Sequence, residues 1–181
     1  MTSEDSKIAE LEQIIGYSFA NKLLAAEALQ MAGKVRLFTV DGASRGVKKN
    51  IDLALVGNSI LATILCKMWY QARDSQGNRL TPGHWNDIRQ QKLSNDSLGG
   101  LGFEIGIHRC IMKEAGLGRV SKKMVAQTVE AVIGAVYMDV DDNGMESVRA
   151  VIQDMGFAEH PHLMVMLQQP SLLNTESAND N

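Results

Sequence analysis

Only two cysteines, Cys66 and Cys110, occur in 181 residues. Two thiols make no disulfide framework, and no zinc-ligand spacing surrounds them. Both sit in apolar helical patterns, which predicts buried free thiols in a reducing interior compartment. Aromatic residues are scarce, at 5 %, and that argues against a β-sandwich. Positive charge is not in excess: 18 Lys and Arg face 21 Asp and Glu, a formal net charge of −3. This excludes a generic nucleic-acid binder, so any RNA contact must come from a local basic patch. No apolar run reaches the roughly 18–20 residues of a membrane span, and no membrane partner is expected. The acidic start, Met1 to Ala9, has no apolar core segment and no arginine-rich character, so it resembles neither a secretory signal nor a transit peptide. An intracellular location, cytoplasmic or nuclear, is expected.

Hydrophobic residues make up 45 % of the chain, with 10 Met. This mix predicts an aliphatic core built from helices. Apolar residues at Ile8, Leu11, Ile14 and Ile15 predict a helix over 5–15 that Gly16 ends. A second helix is expected over Phe19 to Met31. Residues 33–50 hold three glycines and the cations Lys34, Arg36, Arg45, Lys48 and Lys49. They read as a long exposed loop with a short extended piece at Val35 to Val40. Ile51 to Gln71 is apolar on most faces and is expected to be the central buried helix. Thr81 with Pro82 starts the next helix. Ser94 or Asn95 caps another, Ser121 opens an amphipathic helix through Met138, and a last helix spans Met145 to Met155. An all-α bundle of seven or eight helices follows, with residues 1–160 as one domain and no convincing sheet. Residues 161–181 form a polar tail expected to be disordered.

Four segments, in order, resemble the ribonuclease III endonuclease domain family. GYSFANKLLAAEAL (16–29) is similar to its opening helix. NIDLALVGNSIL (50–61) stands where the family signature E-R-L-E-F-L-G-D-[AS]-[VI]-L belongs. KLSNDSLGGLGFEIGI (92–107) resembles a later helix, and KKMVAQTVEAVIGAVYMD (122–139) is close to K-x-x-A-D-x-x-E-A-[LI]-[IL]-G-A-[IVL]-Y-x-D. The resemblance covers roughly residues 8–156. No double-stranded-RNA-binding domain is expected after it.

The resemblance implies cleavage of double-stranded RNA with Mg²⁺, a hard cation that wants carboxylate oxygens and waters. Two acids come from the signature helix at i and i+4, two from the later helix at i and i+3, each pair on one helical face. Here Ala54 and Asn58 occupy the first two positions, Gln127 the third, and only Glu130 remains acidic. Ile51 stands at the first Glu of the signature. A single carboxylate holds Mg²⁺ poorly, so no cofactor is expected unless an atypical site has been rebuilt. Asp52, two residues before Ala54, points to the other side of the helix, and Asp139 and Asp141 lie beyond the later helix. None of His84, His108, His160 and His162 is at a motif position, and His160 with His162 reads as a surface feature of the tail. Glu130 is expected to hydrogen-bond both Asn58 and Gln127 across the former metal site.

The family pairs as homodimers through the signature helix around a valley for duplex RNA. That makes Leu53, Leu55, Val56 and Ile60 the expected dimer face, with Leu55 where many members place an aromatic plug. Lys34, Arg36, Arg45, Lys48 and Lys49, with Lys122 and Lys123 at the start of the Glu130 helix, are the expected RNA contacts, because A-form duplex is read through phosphates and 2′-hydroxyls. A non-cleaving binder of structured or double-stranded RNA, or a modulator of RNA processing, is the first expectation. A weak nuclease with a rebuilt site, a structural subunit, and a heterodimer with an active relative are the alternatives.

Overall fold

The computed structural model describes residues 3–40, 43–114, 116, 118–140, 144–157, 159–161 and 163. Most of the predicted tail, together with Asp141 and His162, lies outside these residues. The described chain holds eight helices and one hairpin: α1 Ser3–Ile15, α2 Lys22–Leu29, β1 Arg36–Val40, β2 Ala43–Val47, α3 Ile51–Gln71, α4 Pro82–Leu93, α5 Asn95–Glu104, α6 Ile107–Cys110, α7 Lys122–Met138 and α8 Gly144–Asp154. The helical bundle is the expected one.

Local chemistry sets most boundaries. Gly16 ends α1 with φ of 64°, a left-handed conformation that costs glycine little. The Asn21, Thr81, Ser94 and Ser121 side chains each accept a backbone N–H of the helix that follows, satisfying a donor that has no partner within the helix. Pro82 occupies the first turn of α4.

Residues 33–50 differ from the expected loop. β1 and β2 pair antiparallel, with Arg36 opposite Val47 and Phe38 opposite Arg45. Phe38 and Val47 are buried, which folds the hairpin against the bundle, and Leu37 stays exposed.

The centre of the bundle is α7, not α3. Ten of the 17 residues of α7 are buried, against six of 21 in α3. The buried residues of α3 (Leu53, Ala54, Gly57, Leu61, Ile64 and Leu65) lie on one face, as a 3.6-residue repeat requires. The opposite face carries exposed Ile51, Leu55, Ser59, Thr63 and Tyr70 with no covering element among the described residues. By length and composition α3 could cross a membrane, contrary to the run-length expectation, but here it packs along α7 through glycines. A Cβ on Gly57 would stand 1.8 Å from the Glu130 carbonyl oxygen, and one on Gly134 would stand 2.1 Å from that of Leu53.

Two further expectations are corrected. Cys110 is buried but Cys66 is only half-buried, because it sits toward the open face of α3. His160 is not a surface residue: it is 3 % exposed and its Nε2 lies 3.1 Å from the Gln91 amide oxygen.

Candidate functional site

The α3–α7 crossing decides what stands at the four family acid positions. Because Gly57 and Gly134 let the two backbones touch, Asn58, next to Gly57, reaches α7. Its Nδ2 donates to Glu130 Oε1 at 2.7 Å. Burial pushes the Glu130 carboxyl above its ordinary value of 4.5, and the Asn58 hydrogen bond pulls it partly back.

Gln127 does not join this pair. Its Nε2 donates to Asn50 Oδ1 at 2.9 Å. Asn50 is fully buried and its own Nδ2 donates to the Ala28 carbonyl at 2.8 Å, while its backbone N–H donates to Gln30. The expected knot of Asn58, Gln127 and Glu130 is therefore two separate links. Gln127 turns to Asn50 because a buried asparagine left half-satisfied would cost roughly 1–3 kcal/mol. The sequence signal for Asn50 is its place directly before the signature helix. Ala54 is 6 % exposed and belongs to the core.

This donor set fits a magnesium ion poorly. Glu130 is the only carboxylate, Asn58 aims an amide hydrogen rather than an oxygen at it, and Ala54 has no oxygen. Among the described residues no group of three or more His, Cys, Asp or Glu could hold a metal. Asp139 offers no rescue, since its carboxylate accepts hydrogen bonds from the Tyr17 hydroxyl and the Ala20 and Asn21 backbone N–H groups. Burial and that carboxylate push the Tyr17 hydroxyl up to about 12. Asp52 is exposed while Ala54 is buried, the opposite orientation expected from the sequence.

The cations fall into two groups. Arg36 and Arg45 lie on the hairpin, Lys34 just before it, and Lys48 and Lys49 lead into Asn50. Lys123 stands one turn before Gln127 on α7, on the same face. The Gln127–Asn50 hydrogen bond thus ties the two basic segments to one point of the fold. Lys122 is spoken for, 3.3 Å from Asp96. Of the expected dimer face, Leu55 is 66 % exposed and Val56 and Ile60 are half-buried. Leu53 is core: only 6 % exposed, on the side of α3 that faces α7.

Sequence patterning did not reveal one feature. Asn58, Ala62, Asn86, Arg89, Gln90, Leu93 and Ser94 line a cleft of about 440 Å³ between α3 and α4. The signal is present: 86, 89 and 90 share one helical face by their spacing.

The burial of Glu130 predicts a pH effect. Its folded-state pKa is raised, so the native state holds the proton more tightly than the unfolded chain. Stability from this group is full below about pH 4.5 and falls as pH rises through the higher folded value. Glu130→Gln, which keeps an acceptor for Asn58, is expected to be more stable than the parent at pH 7. The two should converge below about pH 4.5, measured as melting temperature against pH.

Residues 52–141 match the Ribonuclease III domain family model. The chain is 28 % identical over 166 residues to Ribonuclease 3 of Rhodopirellula baltica, covering 90 % of this chain and 56 % of that protein. It is 29 % identical over 151 residues to Ribonuclease 3 of Idiomarina loihiensis, covering 80 % and 57 %. The fold is similar to the nuclease domain of Ribonuclease III from Campylobacter jejuni, with TM-score 0.64 and 17 % identity over 82 % of this chain and 95 % of that one. Residues 52–141 carry a ribonuclease III domain, and the chain spans a little over half the length of the relatives it matches.

Proposed function

We propose that this protein is a ribonuclease III-type domain that binds structured or double-stranded RNA, or modulates RNA processing, without cutting the strand. The observation that supports this reading is the 2.7 Å hydrogen bond from Asn58 to Glu130, which uses the last acid of the centre to hold an amide. Family chemistry needs a cation there to activate water and neutralise developing charge on the phosphate. With three of four acids replaced, the centre no longer attracts one, and its lower negative charge reduces repulsion toward phosphate. RNA contact falls to Lys34, Arg36, Arg45, Lys48, Lys49 and Lys123. No resident metal belongs to this reading.

The open face of α3 fits a second copy of the chain. Leu55 lies toward its N-terminal end with half-buried Val56 and Ile60 beside it, a self-complementary apolar stripe of the kind a two-fold dimer buries. The similar nuclease domain from Campylobacter jejuni has a region involved in dimer formation, which supports the same arrangement here. A heterodimer with an active relative would use the same stripe.

The test is incubation of end-labelled duplex RNA with purified protein in Mg²⁺, in Mn²⁺ and in chelator. The duplex is expected to stay intact and be retained as a complex that weakens steeply with salt, as phosphate contacts require. Metal-dependent products that disappear in Glu130→Gln would show a rebuilt nuclease and end this reading; no retention at low salt would end its RNA half.

A further inference from the structure

We propose that the cleft between α3 and α4 binds a phosphate group. Five of its seven lining residues carry a group able to donate to an anion, Asn58 through the amide hydrogen that Glu130 does not take. Asn86, Arg89 and Gln90 come from one face of α4, Asn58 from α3, and the Ser94 hydroxyl from the start of α5. Ala62 and Leu93 supply the apolar remainder. Among the described residues no carboxylate lines it. Arg89 is exposed and forms no ion pair among the described residues, so its guanidinium is available for the two-pronged grip that suits phosphate oxygens.

The acids nearby stay out of the lining. Asp87 is exposed and flanks the cleft face of α4, one turn before Gln90, without lining the cleft. Asp96 is paired with Lys122 at 3.3 Å. Glu130 lies behind Asn58, holding its amide. Ser94 Oγ accepts from the Ser97 N–H at 3.2 Å, which leaves the hydroxyl hydrogen to donate outward from the positive end of α5. Had position 58 kept the family aspartate, this wall would carry a negative charge opposite Arg89. Asn58 is thus common to both changes: it disables the cation site and removes the charge that would repel an anion from the neighbouring cleft.

A cleft of about 440 Å³ is in the size range of small-ligand sites. The phosphate belongs either to a free monoester of mononucleotide size or to an RNA strand; only the second source rests on the RNA reading above. The experiment follows backbone amide shifts by NMR on titration with adenosine 5′-monophosphate, with adenosine, and with a short duplex RNA. The expected result is that the monophosphate or the duplex, but not adenosine, shifts Asn86, Arg89, Gln90 and Ser94. Arg89→Ala and Gln90→Glu are both expected to weaken that binding by about tenfold or more, as loss of a charged hydrogen-bonding group does. Arg89→Lys should recover part of it. Both positions are exposed, so an unchanged melting temperature shows that the variants fold. Monophosphate binding lost in Arg89→Ala while duplex affinity stands assigns the cleft to free monoesters. Duplex binding lost with no monophosphate binding assigns it to a strand. Equal shifts by adenosine and its monophosphate, or no effect of Arg89→Ala on either phosphate probe, overturn the proposal. Monophosphate binding without any duplex binding would leave the cleft standing and end the RNA reading instead.

Discussion

Gly57→Ala is expected to cost about 3 kcal/mol or more and to lower the melting temperature by roughly 6–12 °C, at the severe end of overpacking for a chain of this size. Inside a helix, alanine is ordinarily the better residue by about 1 kcal/mol. The surroundings reverse that sign. The added methyl would lie 1.8 Å from the Glu130 carbonyl oxygen, 2.7 Å from its carbon and 2.8 Å from the Gly134 nitrogen. All three are backbone atoms of α7, so no side chain can swing aside. The helices must separate, which opens the packing of Leu53, Leu61, Val129 and Ile133 and pulls Asn58 away from Glu130. Gly134→Ala meets the same obstacle from the other side, with the Leu53 carbonyl oxygen 2.1 Å away. Gly100→Ala is the control: it is in α5, and nothing lies within 4 Å of its added Cβ. There the substitution should stabilise by about 0.5–1 kcal/mol. Thermal unfolding of the three variants reads out the contrast. A Gly57→Ala protein as stable as the parent would mean that the two helices do not touch at this point.

The same pair of glycines shows what sequence can and cannot reveal. Both stand in family motifs, Gly57 in LALVGNSIL and Gly134 in EAVIGAVYMD, yet nothing in either motif says that one faces the other. Helix ends are legible where the chemistry is local, as at Gly16, Thr81 with Pro82, and Ser121. The hairpin is not, because Arg36, Phe38 and Val40 alternate with Leu37 and Thr39, leaving no clean polar face. The Asp41–Gly42 pair between the strands is the usable signal, since such dipeptides favour two-residue hairpin connections. Placing α3 at the centre fails for a different reason. Apolar residues around most of its circumference suggest burial on every side, but hydropathy cannot separate a face covered by the same chain from one left for a second molecule. The centre goes instead to α7, whose Ala126, Ala131, Gly134 and Ala135 admit neighbours closely. At the candidate site the lost acids are plain from residue identity. The pairing of Gln127 with Asn50 is not, because it depends on which of two amides lies nearer in space.

Restoring two of the acids, with Asn58→Asp and Gln127→Asp in one protein, is expected to produce a metal-dependent fold. Without metal the double variant should melt below the parent. Glu130 loses the amide hydrogen it now accepts at 2.7 Å and meets a like charge instead, and Asn50 loses the donor at its Oδ1 while staying buried. Each change leaves a buried polar group worse satisfied, at roughly 1–3 kcal/mol apiece. Three carboxylates would then stand where the Asn58–Glu130 and Gln127–Asn50 hydrogen bonds stood, a set that suits Mn²⁺ or Mg²⁺. An ion bound only to the native state raises stability by about 2.7 kcal/mol at a hundredfold excess over its dissociation constant. For this chain length that is a rise of roughly 5–10 °C in melting temperature. The parent, with one carboxylate, should show no comparable rise, and adding Glu130→Gln to the double variant should abolish it. Duplex cleavage is not expected to return with metal binding, because Ala54 offers no oxygen and its place in the core, 6 % exposed, leaves the fourth side of the ion to water. If Mn²⁺ leaves the double variant's melting temperature unchanged, positions 58, 127 and 130 do not converge on one ion, and the lost-metal account of this centre fails with them.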